Sequence, residues 1–143
     1  MALTANKNVP ERGTEWSGLH EPNSGLAANA IAYQGSLCVF DAAGNVAVGT
    51  TALNLNAIGV SQQFVDNTGG AAGDLTCEIR SGIFLFDNSG GDPIAQADLG
   101  AQCFIEDDET VSRTDGGGAQ SAAGTVYEID ATGGVWVAIG FPI

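Results

Sequence analysis

The sequence predicts an all-β domain, and three observations carry that prediction. Gly fills 21 of 143 positions. It clusters between short apolar runs, at Gly69-Gly70, Gly90-Gly91, Gly116 to Gly118 and Gly133-Gly134, as turns between strands do. The runs themselves are rich in β-branched and aromatic side chains, which a pleated surface accommodates well. Several also alternate: Leu75, Cys77 and Ile79 interleave with Thr76, Glu78 and Arg80, and Val135, Val137, Ile139 and Phe141 share one face. The strict three-residue Gly period of a collagen helix does not occur.

Residues 1–29 read differently. Pro10, Pro22, Gly13, Gly18 and Gly25 interrupt them, and apolar side chains are isolated, so no helix or strand period holds. We expect an extended N-terminal arm over 1–29 and one β domain over 30–143. The arm's apolar residues Leu3, Val9, Trp16 and Leu19 are its candidate partner contacts. Trp16 leads them, because a large aromatic with little local apolar company favours a surface that covers it, and Trp is enriched in interface hot spots.

From Ala30 the strands follow in order. Ile31 to Tyr33 leads to Leu37-Cys38-Val39-Phe40, and Asp41 to Asn45 turns the chain into Val46-Ala47-Val48. Ile58 to Val65 is the next expected strand, with Ile58, Val60 and Phe64 on one face. A loop over 66–73 precedes the Leu75 strand. Gly82 interrupts the run and suggests a bulge, and Ile83 to Phe86 reads as buried on both faces. Ile94 to Leu99 is the one candidate helical turn. Ala101 to Ile105 and Val111 to Arg113 flank an acidic turn, and Thr125 to Asp130 pairs with Val135 to Phe141 as the last hairpin. Eight or nine short strands at regular turn spacing predict a small β-barrel or sandwich domain.

Composition narrows the function. The chain carries 17 acidic and 4 basic residues, a formal net charge of -13. Phosphate binding runs on Lys and Arg, and only Lys7, Arg12, Arg80 and Arg113 exist, so neither nucleic acid nor an anionic membrane is an expected partner. No apolar run approaches the roughly 20 residues of a spanning helix, and no signal peptide is apparent. Three cysteines, Cys38, Cys77 and Cys103, cannot close a disulfide framework. They read as small core residues of a protein assembled in a reducing cytoplasm.

No residue set nominates catalysis, so we expect no enzyme, no cofactor and no metal. The one histidine, His20, lies in the arm without a nucleophile elbow. The cysteines sit on apolar strands, far from zinc-ligand spacing. Glu106-Asp107-Asp108-Glu109 lacks the alternation and Gly of an EF-hand loop, and reads as a solvated turn. No glycine-rich loop opens a helix that could cradle a phosphate.

The stretch from Ala57 to Ile139 resembles the capsid decoration, or cement, proteins of tailed phages. The resemblance rests on Ala57-Ile58-Gly59-Val60, Gly69-Gly70-Ala71-Ala72-Gly73, Leu75 to Arg80, Ser81-Gly82-Ile83-Phe84 and Leu99-Gly100-Ala101. It continues through the Asp-Asp turn with Glu109-Thr110-Val111-Ser112, then Ala123-Gly124-Thr125-Val126 and Gly134 to Ile139. The arm is not part of it. The resemblance implies a small β-barrel or β-tulip-like fold and a structural virion protein on the outer capsid surface, assembled in the host cytoplasm. It implies binding to a major capsid protein of the HK97-type fold, self-association as a homotrimer and bracing of the shell. A tail or fibre module, or a glycan-binding β module, is the alternative.

Overall fold

A computed structural model describes residues 2–12 and 18–140. Among them are twelve strands: β1 Glu11–Arg12, β2 Gly18–His20, β3 Ile31–Ala32, β4 Leu37–Phe40, β5 Val46–Val48, β6 Asn56–Ser61, β7 Val65–Asp66, β8 Ile79–Asn88, β9 Gln102–Ile105, β10 Thr110–Ser112, β11 Ala122–Ile129 and β12 Val135–Ile139. The expected helical turn is a single 3-10 turn at Gln96–Asp98. The fold is all-β, as the Gly spacing and alternation predict.

Five strands close a barrel in the order β8-β12-β11-β9-β10. Four of the seams are antiparallel, and a parallel pairing of Thr110 and Val111 with Asp87 and Asn88 completes the ring. Closure removes the open edges that would otherwise template pairing with other chains. The interior is filled in period two by Phe84 and Phe86, Val135, Val137 and Ile139, and Cys103 and Ile105, together with Val111 and, on β11, whose register shifts between Ala122 and Gly124, Ala123 and Val126. Phe84, at 1% exposure, contributes about 1.5–3 kcal/mol by leaving water. Gly124 lets β11 and β12 approach, since a Cβ there would collide with the Ala138 carbonyl oxygen.

β4, β5 and β6 extend the sheet beyond the barrel. Leu37, Cys38 and Val39 are all fully buried. Leu37 and Val39 join the barrel core, while Cys38 packs into a second cluster with Leu26, Ala32, Val46, Cys77 and Ile79. Leu26 therefore belongs to the core, and its backbone bridges to Val46. β3 and β7 form a separate two-stranded ribbon.

β8 is the spine. Ile79 pairs with both Ser61 of β6 and His20 of β2, and Phe84 pairs with both Val137 of β12 and Glu11 of β1. Those residues are therefore flanked on both edges. One edge carries β6 and then β12; the other carries β2, β1 and β10 end to end. The break suggested by Gly82 is a change of partner: β8 runs through it, and pairing on one edge passes from β6 to β12.

Two strand expectations are corrected. Alternation placed Phe64 inward on a strand running to Val65, but β6 stops at Ser61. The Ser61 hydroxyl donates to the Gln63 carbonyl at 2.6 Å, a local bond that competes with the ladder. Phe64 is left half-exposed. The strand expected from Leu75 begins only at Ile79. The Leu75 carbonyl receives Leu26 N–H, and the Glu78 carbonyl and N–H are engaged by Gln62 N–H and the Gln63 side-chain oxygen. Cys77 and Ile79 are buried as expected, while Leu75 is exposed. Phe141, expected on the face of Val135, lies outside the described residues.

Candidate partner-binding surface

The arm lies against its own barrel. Lys7 N–H donates to the Gln34 carbonyl at 2.7 Å and Leu85 N–H to the Pro10 carbonyl at 3.1 Å. β1 and β2 then pair with β8 in antiparallel register, Arg12 opposite Ile83 and Gly18 opposite Ser81. Backbone bonding holds these short strands where their own sequence has no strand period, so tertiary context sets them.

Charge reinforces the seam. Lys7 Nζ lies 3.1 Å from Glu109 and 3.9 Å from Asp87. Arg12 pairs with Glu128 at 2.8 Å, and Arg80 of β8 pairs with Glu11 at 2.7 Å. Three of the four basic residues thus bridge arm and barrel. The fourth, Arg113, pairs with Asp98. Each exposed pair adds little alone, but the placement directs the few cations of a strongly acidic chain onto one seam. The Arg12 guanidinium also sits 4.4 Å from the Trp136 ring centroid and 5.5 Å from that of Tyr127, within cation–π range. The Glu128 hydrogen bond holds its pKa above the ordinary arginine value, with burial acting against it. Trp136 Nε1 donates to Asp130 at 3.1 Å, which satisfies the one polar atom of a mostly buried ring.

The candidate contact residues separate. Val9 packs against the barrel core. Leu3 is half-buried, its N–H bound to Asp108. Leu19 faces solvent at 56% exposure. Trp16 lies outside the described residues. His20 Nε2 lies 3.1 Å from the Ser81 hydroxyl.

The acidic turn is not merely solvated, as its composition suggested. Asp108 is 3% exposed. Its Oδ1 accepts Leu3 N–H at 2.9 Å and its Oδ2 accepts the Ser36 hydroxyl at 3.2 Å. Burial raises its carboxyl above the ordinary value; the Leu3 and Ser36 bonds work against that, and Asp107 and Glu109 add to it. Glu106 accepts the Ser89 hydroxyl at 2.6 Å. The run is an anchor for the arm, which local sequence could not reveal because its partners lie about 70 and 105 positions away.

The three cysteines are buried free thiols. Burial raises all three, Cys103 to about 12, so they pack as small apolar groups. Among the described residues no group of three or more His, Cys, Asp or Glu side chains is placed to hold a metal ion, and no helix is long and apolar enough to cross a membrane.

The outer surface presents residues that sequence reading did not single out. Tyr127 is exposed beside Arg12 and Trp136, joining Arg, Tyr and Trp in one patch at the arm seam. Phe64 stacks on Tyr33, ring centroids 5.4 Å apart and tilted 39°. The sequence signal for the first patch was Arg12 itself, one of few cations in a chain of charge -13. Comparison of the chain with protein-family models, curated proteins and solved structures gave no match.

Proposed function

We propose that this chain is a decoration protein that binds the outer face of a phage capsid of the HK97-type fold, as a homotrimer, and braces the shell. The observation that carries the reading is the clasp of the arm along β8. A brace transmits load, and local opening of a frayed edge is how a small β domain yields. Here β1, β2 and β10 follow one another along one edge of the longest strand while β6 and β12 occupy the other. Closed-barrel seams, backbone pairing of the arm and the bridging ion pairs of Lys7, Arg12 and Arg80 act together.

Two further features support it. The patch of Arg12, Tyr127 and Trp136 has the composition of interface hot spots, with its aromatic rings already ordered. The net charge of -13 keeps free copies apart and soluble until many identical sites on a shell compensate by multivalency. The shell type and the trimer follow from the resemblance of residues 57–139 to decoration proteins.

The test is co-sedimentation of the purified protein with expanded shells of the source particle lacking it. The reading expects saturable binding and a higher rupture temperature of the loaded shells. It also expects Tyr127→Ala to weaken binding without loss of fold. Absence of binding at saturating protein contradicts it.

A further inference from the structure

A second surface lies where the arm meets the turn before β4, and its side-chain amides are not part of the Arg12–Tyr127–Trp136 patch. The arm at Asn6 to Val9, the turn Tyr33 to Ser36 and the bend after β6 converge there. Gln34 N–H donates to Asn6, Gln34 Nε2 donates to Asn8 Oδ1 at 3.3 Å, and Gly35 N–H donates to the Ser61 carbonyl at 2.9 Å. Between these segments is a cavity of about 220 Å³ whose walls include Lys7, Asn8, Gln34 and Gln62. Tyr33, next in chain to the wall residue Gln34, and Phe64, two residues beyond the wall residue Gln62, form a ring pair carried by the same two segments.

We propose that this cavity and ring pair form a binding site for a neutral saccharide. A sugar ring offers an apolar C–H face and a rim of hydroxyls. It is recognised where an exposed aromatic surface adjoins amides that both donate and accept. Phe64 is 48% exposed although large and apolar, so a ring face is available without any change of fold. The amides are half-used. Asn8 accepts through Oδ1, and Gln62 donates through Nε2 to the Val60 carbonyl. This leaves Asn8 Nδ2 as a donor, and the Gln34 and Gln62 Oε1 atoms as acceptors, unbonded among the described residues. Each amide is held by its other end, so little side-chain freedom is lost on binding. Lys7, the one cation of the wall, is already paired with Glu109, and the chain's charge of -13 disfavours an anionic glycan.

The test titrates the intact, isotope-labelled protein with maltohexaose, cellohexaose, chitohexaose and mannohexaose, with heparin as the anionic control. Amide spectra report the site. The proposal expects at least one hexasaccharide to bind with a dissociation constant of about 1 mM or tighter. It expects shifts confined to residues 6–9, 33–36 and 60–64 and the side-chain amides of Asn8, Gln34 and Gln62. Phe64→Ala, on an exposed ring and checked by its own spectrum, weakens binding about tenfold, as does Gln34→Ala. No shift at the site with any of the four, shifts located elsewhere, heparin binding in their place, or an unchanged affinity in Phe64→Ala each overturns it. The proposal also falls if Phe64→Ala impairs binding to capsid shells and no saccharide binds, since the surface then belongs to the capsid contact.

Discussion

Asp108→Ala tests the arm anchor, and its size can be worked from the contacts. The carboxylate accepts Leu3 N–H and the hydroxyl of Ser36, a residue with no exposure. Hydrogen bonds to a charged acceptor contribute about 1.5–3 kcal/mol each, and a stranded buried hydroxyl costs about 1–3 kcal/mol. Relief from burying the charge returns part of that loss, so the net loss is about 2–3 kcal/mol. For a chain of this length that lowers the melting temperature by roughly 6–10 °C. Asp108→Asn keeps the shape, accepts Leu3 N–H and donates to Ser36, so it costs less than about 1 kcal/mol. Urea unfolding at pH 7 measures both, and hydrogen exchange at the Leu3 amide reports whether the arm loosens in the Ala variant alone. The pH dependence adds a sign. A carboxyl whose folded pKa is raised takes its proton more readily folded than unfolded. Wild type therefore gains stability relative to Asp108→Asn as pH falls through the folded pKa toward the ordinary value of about 3.9. Equal losses in the two variants, or a loss below about 0.5 kcal/mol for Asp108→Ala, refutes the anchor.

Gly124→Ala forces a Cβ against the Ala138 carbonyl oxygen and costs about 1–3 kcal/mol by overpacking, measurable as a fall in the urea midpoint. Arg12→Ala lowers the melting temperature and changes Trp136 fluorescence; Arg12→Lys does not restore either fully, because an ammonium lacks the planar fork and face of guanidinium. The thiols of Cys38, Cys77 and Cys103 stay unreactive toward an aromatic disulfide reagent at pH 8 in the folded protein and all react in denaturant, since burial raises each. Asp66, Asp92 and Asp130 are held below the ordinary carboxyl value, first by the hydroxyls of Thr68, Thr114 and Thr132 and then by their backbone N–H groups. Their contribution is present above the unfolded pKa and lost as pH falls through the lowered values, so the triple Thr→Val variant has a flatter acid limb in an unfolding series.

What could be read in advance follows the range of the forces. Val46 to Val48 and Val135 to Ile139 were legible because strand period, turn residues and burial agree within a dozen positions. The hairpin joined by Asp41 to Asn45 is held by Asp41 accepting Ala43 and Asn45 N–H, a turn chemistry visible in the residues. Phe64 was misplaced because the Ser61 hydroxyl captures the Gln63 backbone and ends the strand. The arm's pairing was not legible. Glu11 and Arg12 have no strand pattern, and their partners on β8 lie about 70 positions away. The same distance hid Asp108, whose charge suggested solvent while Ser36 and Leu3 bring it inside. The candidate sites divided in the same way. Val9 and Leu3 were noticed as apolar residues needing cover, whereas the Arg12–Trp136–Tyr127 stack and the Tyr33–Phe64 pair each join segments remote in sequence.

The most direct test of the proposed function is quantitative protein analysis of purified source particles, before and after a low-salt wash with chelator. The account predicts this chain on the particles in a copy number comparable with that of the major capsid protein. It also predicts three copies of the chain for each trimer site that stays occupied after the wash. A few copies per particle, or none, contradicts it.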